Sequence, residues 1–200
     1  MIAGPSEVTV VGDKHSKPEW IASDLIGQAE HDKLAQCILI SKDKKLILKV
    51  NEEIKKQLED LPRATIAKKS ILNNGFSIHI TSDQKIIEVI NKISPEHLEL
   101  NVRNYKKIVG KIKNSGSICL GKYAVMAMTD YNVGSNHVLP TNSSARYSSG
   151  ISVNEFYKRI SYINLSKKGI ETLGPSVITL ANYEGLVGHA KSVEKRIRRK

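Results

Sequence analysis

Two hydrophobic periodicities alternate along the first three-quarters of the chain. "EVTVVGD" is an apolar run of strand length. "SKPEWIASDLIGQAEHD" follows it, with Trp20, Ile21, Leu25 and Ala29 at helical spacing. That segment predicts a helix with Ser16 as N-cap, Pro18 in the first turn and Glu19 completing a capping box. "CILIS" predicts a second strand, and "KKLILKVNEEIKKQLEDLP" an amphipathic helix stopped by Pro62. The series continues with a strand in "FSIHIT", a helix in "SDQKIIEVINKI" capped by Ser82, a short strand in "HLELN", a helix in "NYKKIVGKI" and a fifth strand in "SICLG". Strands alternating with helices imply parallel neighbours joined by right-handed crossovers, hence a doubly wound α/β sheet.

The pattern breaks after Gly121. Residues 122–150 read as a long loop rich in Asn, Ser, Gly and Thr, and structureless loops of that length are usually functional. From Ile151 the reading is helical: "SVNEFYKRISYI", a short "LSKKGIETL", and a last helix beginning at Pro175. The expected division is an α/β domain over residues 1–150 and a helical tail over 151–200. The tail is too small for a core of its own, so it must pack on the sheet domain or on a second subunit.

Composition narrows the class. At 40% hydrophobic and 26% charged residues the chain is globular rather than disordered. No apolar run is long enough to span a bilayer, and the N-terminus lacks a basic segment followed by an apolar one. Cys37 and Cys119 lie inside short apolar runs and read as buried thiols of a reduced compartment, which favours the cytoplasm. The net charge of +11 raises the question of an anionic partner. The basic residues are nevertheless dispersed and not interleaved with aromatics, and the one dense cluster, "VEKRIRRK", suits a helix C-terminus. No nucleic-acid partner is expected. "GSICLGK" has the spacing of a phosphate-binding loop, but Tyr123 stands where Ser or Thr is needed and its centre is an apolar strand. No G-x-G-x-x-G follows any strand.

The remaining chemistry lies in the histidines and carboxylates. Each His alone is a structural hydrogen-bonding residue before it is a ligand, and His15 and His79 stay with that reading. His31, His97, His137 and His189 occupy polar, turn-rich or helix-end settings. Gln28 and His31 are three apart on one helix and share a face. Asp130 supplies a carboxylate from the long loop. A two-His, one-carboxylate set without Cys suits zinc with open positions for a substrate. In "SPEHLEL", Glu96 and His97 place two proton-transfer groups together at the mouth of the sheet.

"AGPSEVTVV", "ASDLIGQAEHD", "LPR", "SPEHLEL", "GSICLGKY", "DYNVGSNHVLPT" and "EGLVGHA" occur in this order, and the chain resembles the histidinol dehydrogenase family over essentially all 200 residues. The resemblance implies an incomplete Rossmann-like sheet with an all-helical C-terminal tail. It also implies zinc-dependent oxidation of L-histidinol to L-histidine in two NAD-dependent steps. By that resemblance Gln28, His31, Asp130 and His189 hold zinc, Glu96 activates water, and His97 accepts the protons of both oxidations. Substrate contacts fall on Ser6, Gln28, His31, His97, Asp130, Glu184 and His189, with His137 in a second tier. Glu184 and His189, read as lying on one helix about 140° apart, bracket a ligand from two sides. The family's tail crosses to the other protomer, so an intertwined homodimer with composite sites is expected.

Two departures qualify the match. Family members are much longer, and the portion expected to be missing is the N-terminal one that carries the NAD contacts, so a separately encoded N-terminal half is a candidate partner. "YAVMAMTDY" also replaces the family's "YTPEAxGDY", with Ala124, Val125 and Met126 for Thr, Pro and Glu, and Thr129 for Gly. Two functions stay open: a dehydrogenase half completed by another chain, or an inactive remnant that binds zinc or an imidazole ligand without turnover.

Overall fold

All five expected strands form: β1 (Glu7–Gly12), β2 (Gln36–Ser41), β3 (Gly75–His79), β4 (His97–Asn101) and β5 (Ser117–Leu120). In the computed structural model, which describes residues 4–197, they lie in the order β3-β2-β1-β4-β5. Every neighbouring pair is parallel, with Val8 opposite Cys37 and His97, and His97 opposite Ser117. The class is α/β, doubly wound, as the alternation of periods requires.

Period-two alternation sends successive strand residues to opposite faces. Val8, Val10, Cys37 and Leu39 pack with Ile21, Leu25, Leu46 and Val50 on one face, under α1 (Pro18–Ala29) and α2 (Lys44–Gln57). Ile38, Ile40, Leu98 and Leu100 pack with Ile86, Ile90 and Ile108 on the other, under α4 (Asp83–Ile93) and the short α5 (Lys106–Val109). Each of these side chains stabilises the fold by about 1.5–3 kcal/mol when fully buried. Cys37 and Cys119 are free and buried, and burial pushes both thiols up to about 12. They are inert packing residues at neutral pH. "GSICLGK" contains β5, a strand and not a phosphate cradle.

Several local expectations are corrected. Lys17, not Ser16, is the N-cap of α1, and no side chain caps that helix. The Ser16 hydroxyl is engaged instead with Asp13 N–H and Asn101 C=O. A helix not expected from the sequence, α3 (Ala64–Asn74), lies between Pro62 and β3, and the Ser70 hydroxyl on its buried side donates to Ala35 C=O. The long loop contains a two-turn helix, α6 (Met126–Tyr131), and a 3-10 turn at Ser144–Arg146.

The fold divides into two units, Met1–Phe156 and Tyr157–Lys200. The helix expected over 152–163 is not formed: it is reduced to one 3-10 turn, Val153–Phe156. In the second unit α7 (Lys167–Tyr183) runs straight through Pro175 rather than starting there, and α8 (Val187–Ile197) follows it. Between them Leu186 N–H donates to Ala181 C=O (2.7 Å) and Gly185 N–H to Asn182 C=O (3.0 Å). This Schellman closure needs the positive φ of Gly185, 75°. Gly174 lets the two helices approach, because a Cβ there would meet Val193 and Ile197. Of the basic cluster, Lys195 and Arg196 occupy the last turn of α8, while residues 198–200 lie outside those described. No helix among the described residues is long and apolar enough to cross a membrane.

Candidate active site

Parallel βαβ topology returns each crossover helix to the amino-terminal edge of the sheet, and the candidate residues gather at that edge. Ser6 immediately precedes β1, Gln28 and His31 lie at the end of α1, and Glu96 and His97 open β4. Asp130 reaches the same place from α6. Together with Tyr131 and His137 they line one cavity of about 420 Å³.

The cavity's acid–base groups are tightly held. Glu96 Oε2 accepts from Glu7 N–H (2.8 Å). Burial, the dominant cause, raises the Glu96 carboxyl to about 7, with the charges of Glu7 and Asp130 pushing the same way and the Glu7 N–H opposing. His97 Nε2 stands 3.9 Å from Glu96 Oε1 and 3.8 Å from Asp130 Oδ1, while Nδ1 lies 3.1 Å from Ser117 Oγ. Burial depresses the His97 pKa below its ordinary value, only partly offset by Asp130. At neutral pH the edge therefore holds a neutral imidazole beside a carboxyl poised to take or give a proton, which is the equipment of general acid–base chemistry.

Supporting contacts come from residues that no sequence motif singles out. Glu7 Oε1 accepts from Asn142 N–H (3.0 Å), tying the long loop to β1. Ser143 Oγ donates to Ile93 C=O (2.7 Å), and the Arg146 guanidinium donates to Ser94 Oγ (3.1 Å) and to Lys92 C=O. These bonds hold the turn in which Ser94 takes a left-handed φ of 54°, directly ahead of Pro95, Glu96 and His97. Asp130 is placed by α6, whose first N–H, that of Met126, donates to Glu99 Oε1 (2.7 Å). The Met126 side chain is buried in the core beneath α1. Glu99 is itself hydrogen-bonded to Asp24. Burial raises Asp24 to about 6 and Glu99 well above the usual carboxylate range, so Glu99 carries the proton and donates it to Asp24.

Fit to a metal can be judged from polar atoms lacking partners. Gln28 is fully buried, yet neither Oε1 nor Nε2 has a hydrogen-bond partner, and Asp130 Oδ1 has none either. Unpaired buried polar atoms are costly, and an oxygen-binding cation between Gln28 and Asp130 would relieve two of the three. The donor set of this unit contains only two classical ligands, His31 and Asp130. No group of three His, Cys, Asp or Glu among the described residues is arranged to hold a metal. Glu184 and His189 belong to the second unit, where Glu184 is the C-cap of α7 and His189 lies in the first turn of α8. The break at Gly185 overturns the expectation that they ride one helix about 140° apart. Both side chains are exposed.

A family model described as histidinol dehydrogenase matches residues 1–197. The chain belongs to the histidinol dehydrogenase family. It is 84% identical over 200 residues to histidinol dehydrogenase of Pelagibacter ubique (strain HTCC1062), covering all of this chain and 47% of that protein. It is 45% identical to the Listeria monocytogenes protein of that name (serovar 1/2a, strain ATCC BAA-679 / EGD-e), over 98% of this chain and 46% of the relative. The crystal structure of histidinol dehydrogenase from Elizabethkingia anophelis superposes with a TM-score of 0.86 at 38% identity, over 98% of this chain and 45% of that one. The chain thus spans about half the length of the curated relatives it matches. As a histidinol dehydrogenase family member it has the parallel α/β sheet expected from the sequence, and residues of "QAEHD", "SPEHLEL" and "NHVLPT" line one cavity at the sheet's edge. Ser117, Glu7 and Tyr131 were missed, since a Ser, a Glu and a Tyr in ordinary contexts carry no spacing signal.

Proposed function

We propose that this chain supplies the metal- and substrate-holding half of a dehydrogenase that oxidises L-histidinol to L-histidine with NAD. What supports this is the convergence of Glu96, at about 7, and an uncharged His97 on the cavity that also receives Gln28, His31 and Asp130. His97 Nε2 faces the cavity and accepts the hydroxyl proton as the carbinol carbon gives up its hydride to NAD. Glu96, as carboxylate, takes a proton from the water that adds to the aldehyde. Once His97 has released its first proton to solvent, it accepts the hydrate's proton in the second oxidation. Ser6 and His137 flank the substrate.

Gln28, His31 and Asp130, with His189, would hold zinc, whose contribution is to orient the substrate's imidazole and amino nitrogens. His189 and Glu184 reach the site from the tail of a second copy in an intertwined homodimer. Tyr157, Ile160, Tyr162, Ile163 and Tyr183 are largely exposed in the chain by itself, which favours a partner surface over the tail. A second chain supplies the NAD site, and the assembly works in the cytoplasm.

Zinc stoichiometry, calorimetry with L-histidinol, and NADH absorbance with and without a chain supplying the remaining half test this together. One zinc per chain, histidinol binding and NADH formed only in the mixture support it. Zinc and histidinol binding with no NADH in any mixture selects a binding protein without turnover. Unchanged zinc content in His31→Ala and His189→Ala rejects the metal assignment.

A further inference from the structure

The carboxyl-terminal edge of the same sheet is also built as a site. The strand order places β1 between β2 and β4. After β1 the chain passes to α1 on one face, and after β4 to α5 on the other, since Ile21 and Ile108 belong to opposite core layers. This is the topological switch point, where loops of opposite departure open a crevice and where doubly wound sheets bind ligands. Two adjoining cavities of about 390 and 690 Å³ occupy it, sharing Asp13, His15 and Arg103.

The floor of the crevice is fixed by hydrogen bonds that hold its carboxylate in place. Asp13 Oδ1 accepts from His15 N–H and Oδ2 from Arg103 N–H, each at 2.8 Å. Asp13 N–H donates to Ser16 Oγ (2.9 Å), and that hydroxyl donates to Asn101 C=O (2.5 Å). The loops after β1 and β4 are thereby stitched together. Asp43 is used in the same way, accepting from Lys45 N–H at the start of α2 (2.8 Å). Lys42 is paired with Asp83. Among the described residues, Arg103, Lys14 and Lys122 meet the crevice without any carboxylate partner. A rigid concave floor on which the cations outnumber the carboxylates Asp13 and Asp43, both held by backbone amides, is complementary to a compact dianion. The planar guanidinium of Arg103 suits two oxygens at once.

We propose that this crevice binds the phosphate or pyrophosphate group of a small phosphorylated ligand, with Arg103 as its principal contact. The site is separate from the acid–base edge and does not depend on the dehydrogenase reading. Inorganic pyrophosphate, titrated into the 15N-labelled chain at constant ionic strength, gives saturable amide shifts confined to residues 13–16, 101–105 and 121–123. Arg103→Gln weakens binding at least tenfold. The Arg103 side chain is exposed and its N–H bond to Asp13 is kept, so the variant folds. Lys69→Gln, an equal charge change on α3, leaves affinity unaltered. Tighter binding of ADP than of pyrophosphate identifies a nucleotide ligand, and equal affinity a bare phosphate group; either supports the site. Non-saturating shifts that sodium chloride reproduces, or equal losses in Arg103→Gln and Lys69→Gln, overturn it.

Discussion

Ser117 Oγ lies 3.1 Å from Nδ1 of His97, a bond between the first residues of two neighbouring strands that face each other in register. A strand pair holds the imidazole, and its other nitrogen is left to face Glu96 and Asp130. An imidazole whose orientation is set by a fixed partner is more effective as a base than one free to rotate. Ser117→Ala is therefore expected to leave the fold within about 1 kcal/mol of the parent while mixing the His97 tautomers. Long-range 1H–15N spectra of the ring read this directly, without any need for turnover. Ser117→Thr restores the parent pattern. An identical tautomer signature in Ser117→Ala would mean that the hydroxyl does not position His97.

Four carboxyls held away from solvent give the chain an unusual dependence on pH. Asp24 (about 6), Glu96 (about 7), Glu7, raised by burial, and Glu99, higher than the usual range, all have folded pKa values above their ordinary ones. The native state then binds more protons than the unfolded chain between about pH 4 and 7, so stability falls as pH rises through that window. His97, depressed, has the opposite sign below about 6.5 but stands alone against four. The urea midpoint is expected to be higher at pH 5 than at pH 8. Glu99→Gln keeps an oxygen for Met126 N–H and gains an amide donor for Asp24, yet cannot ionise. It should match the parent at pH 5 and exceed it by about 1–2 kcal/mol at pH 8. A parent whose stability rises from pH 5 to pH 8 contradicts the buried-carboxyl account.

The sheet was legible because its evidence is periodic. Val8 to Val11 (broken only by Thr9), Cys37 to Ile40, and Leu98 and Leu100 on either side of Glu99 are buried strand positions that only a two-sided sheet can cover. The site was legible where resemblance marked residue types, as in Gln28, His31, Glu96 and His97. Elsewhere local signals were weak or competed with tertiary ones. Helix α3 has no side-chain cap, and of its residues only Ala67 and Ser70 are buried, so its apolar stripe is faint. Ser16 looked like an N-cap, but its hydroxyl is worth more as a stitch between the loops after β1 and β4. The helix read over 152–163 had apolar residues mixed with polar ones, yet Tyr157, Ile160, Tyr162 and Ile163 are largely exposed, so no burial repays ordering them as a helix. Pro175 suggested a helix start because a proline N–H is not needed there. In the structure α7 runs through Pro175, giving up one backbone bond in its interior.

Arg146 makes a prediction about rigidity. Its guanidinium spans Lys92 C=O and Ser94 Oγ, clasping the loop to the left-handed turn that delivers Glu96 and His97 into β4. Arg146→Ala removes the clasp without touching the cavity. A loss of about 1–2 kcal/mol is expected, together with faster amide exchange at residues 94–97 and little change elsewhere in the sheet. Uniform exchange across β1, β2 and β4 would instead show that the turn is held by its own backbone.

Gln28 gives the sharpest test, because under the proposed zinc assignment its contributions to stability and to binding have opposite signs. A fully buried amide with neither atom hydrogen-bonded among the described residues costs the fold on the order of 1–3 kcal/mol, and such a cost persists where the group is used for something else. Gln28→Met has nearly the same length and volume, fits the apolar side of α1 beside Leu25 and Ala29, and carries no unpaired donor. In metal-free buffer the variant is expected to melt several degrees above the parent. With zinc added, the parent should gain stability as mass action requires, while Gln28→Met gains little, so the order of the two melting temperatures narrows or reverses. Differential scanning fluorimetry with and without zinc measures both arms. A metal-free variant less stable than the parent would mean that the Gln28 amide is satisfied after all, and an undiminished zinc shift would remove it from the metal's donor set.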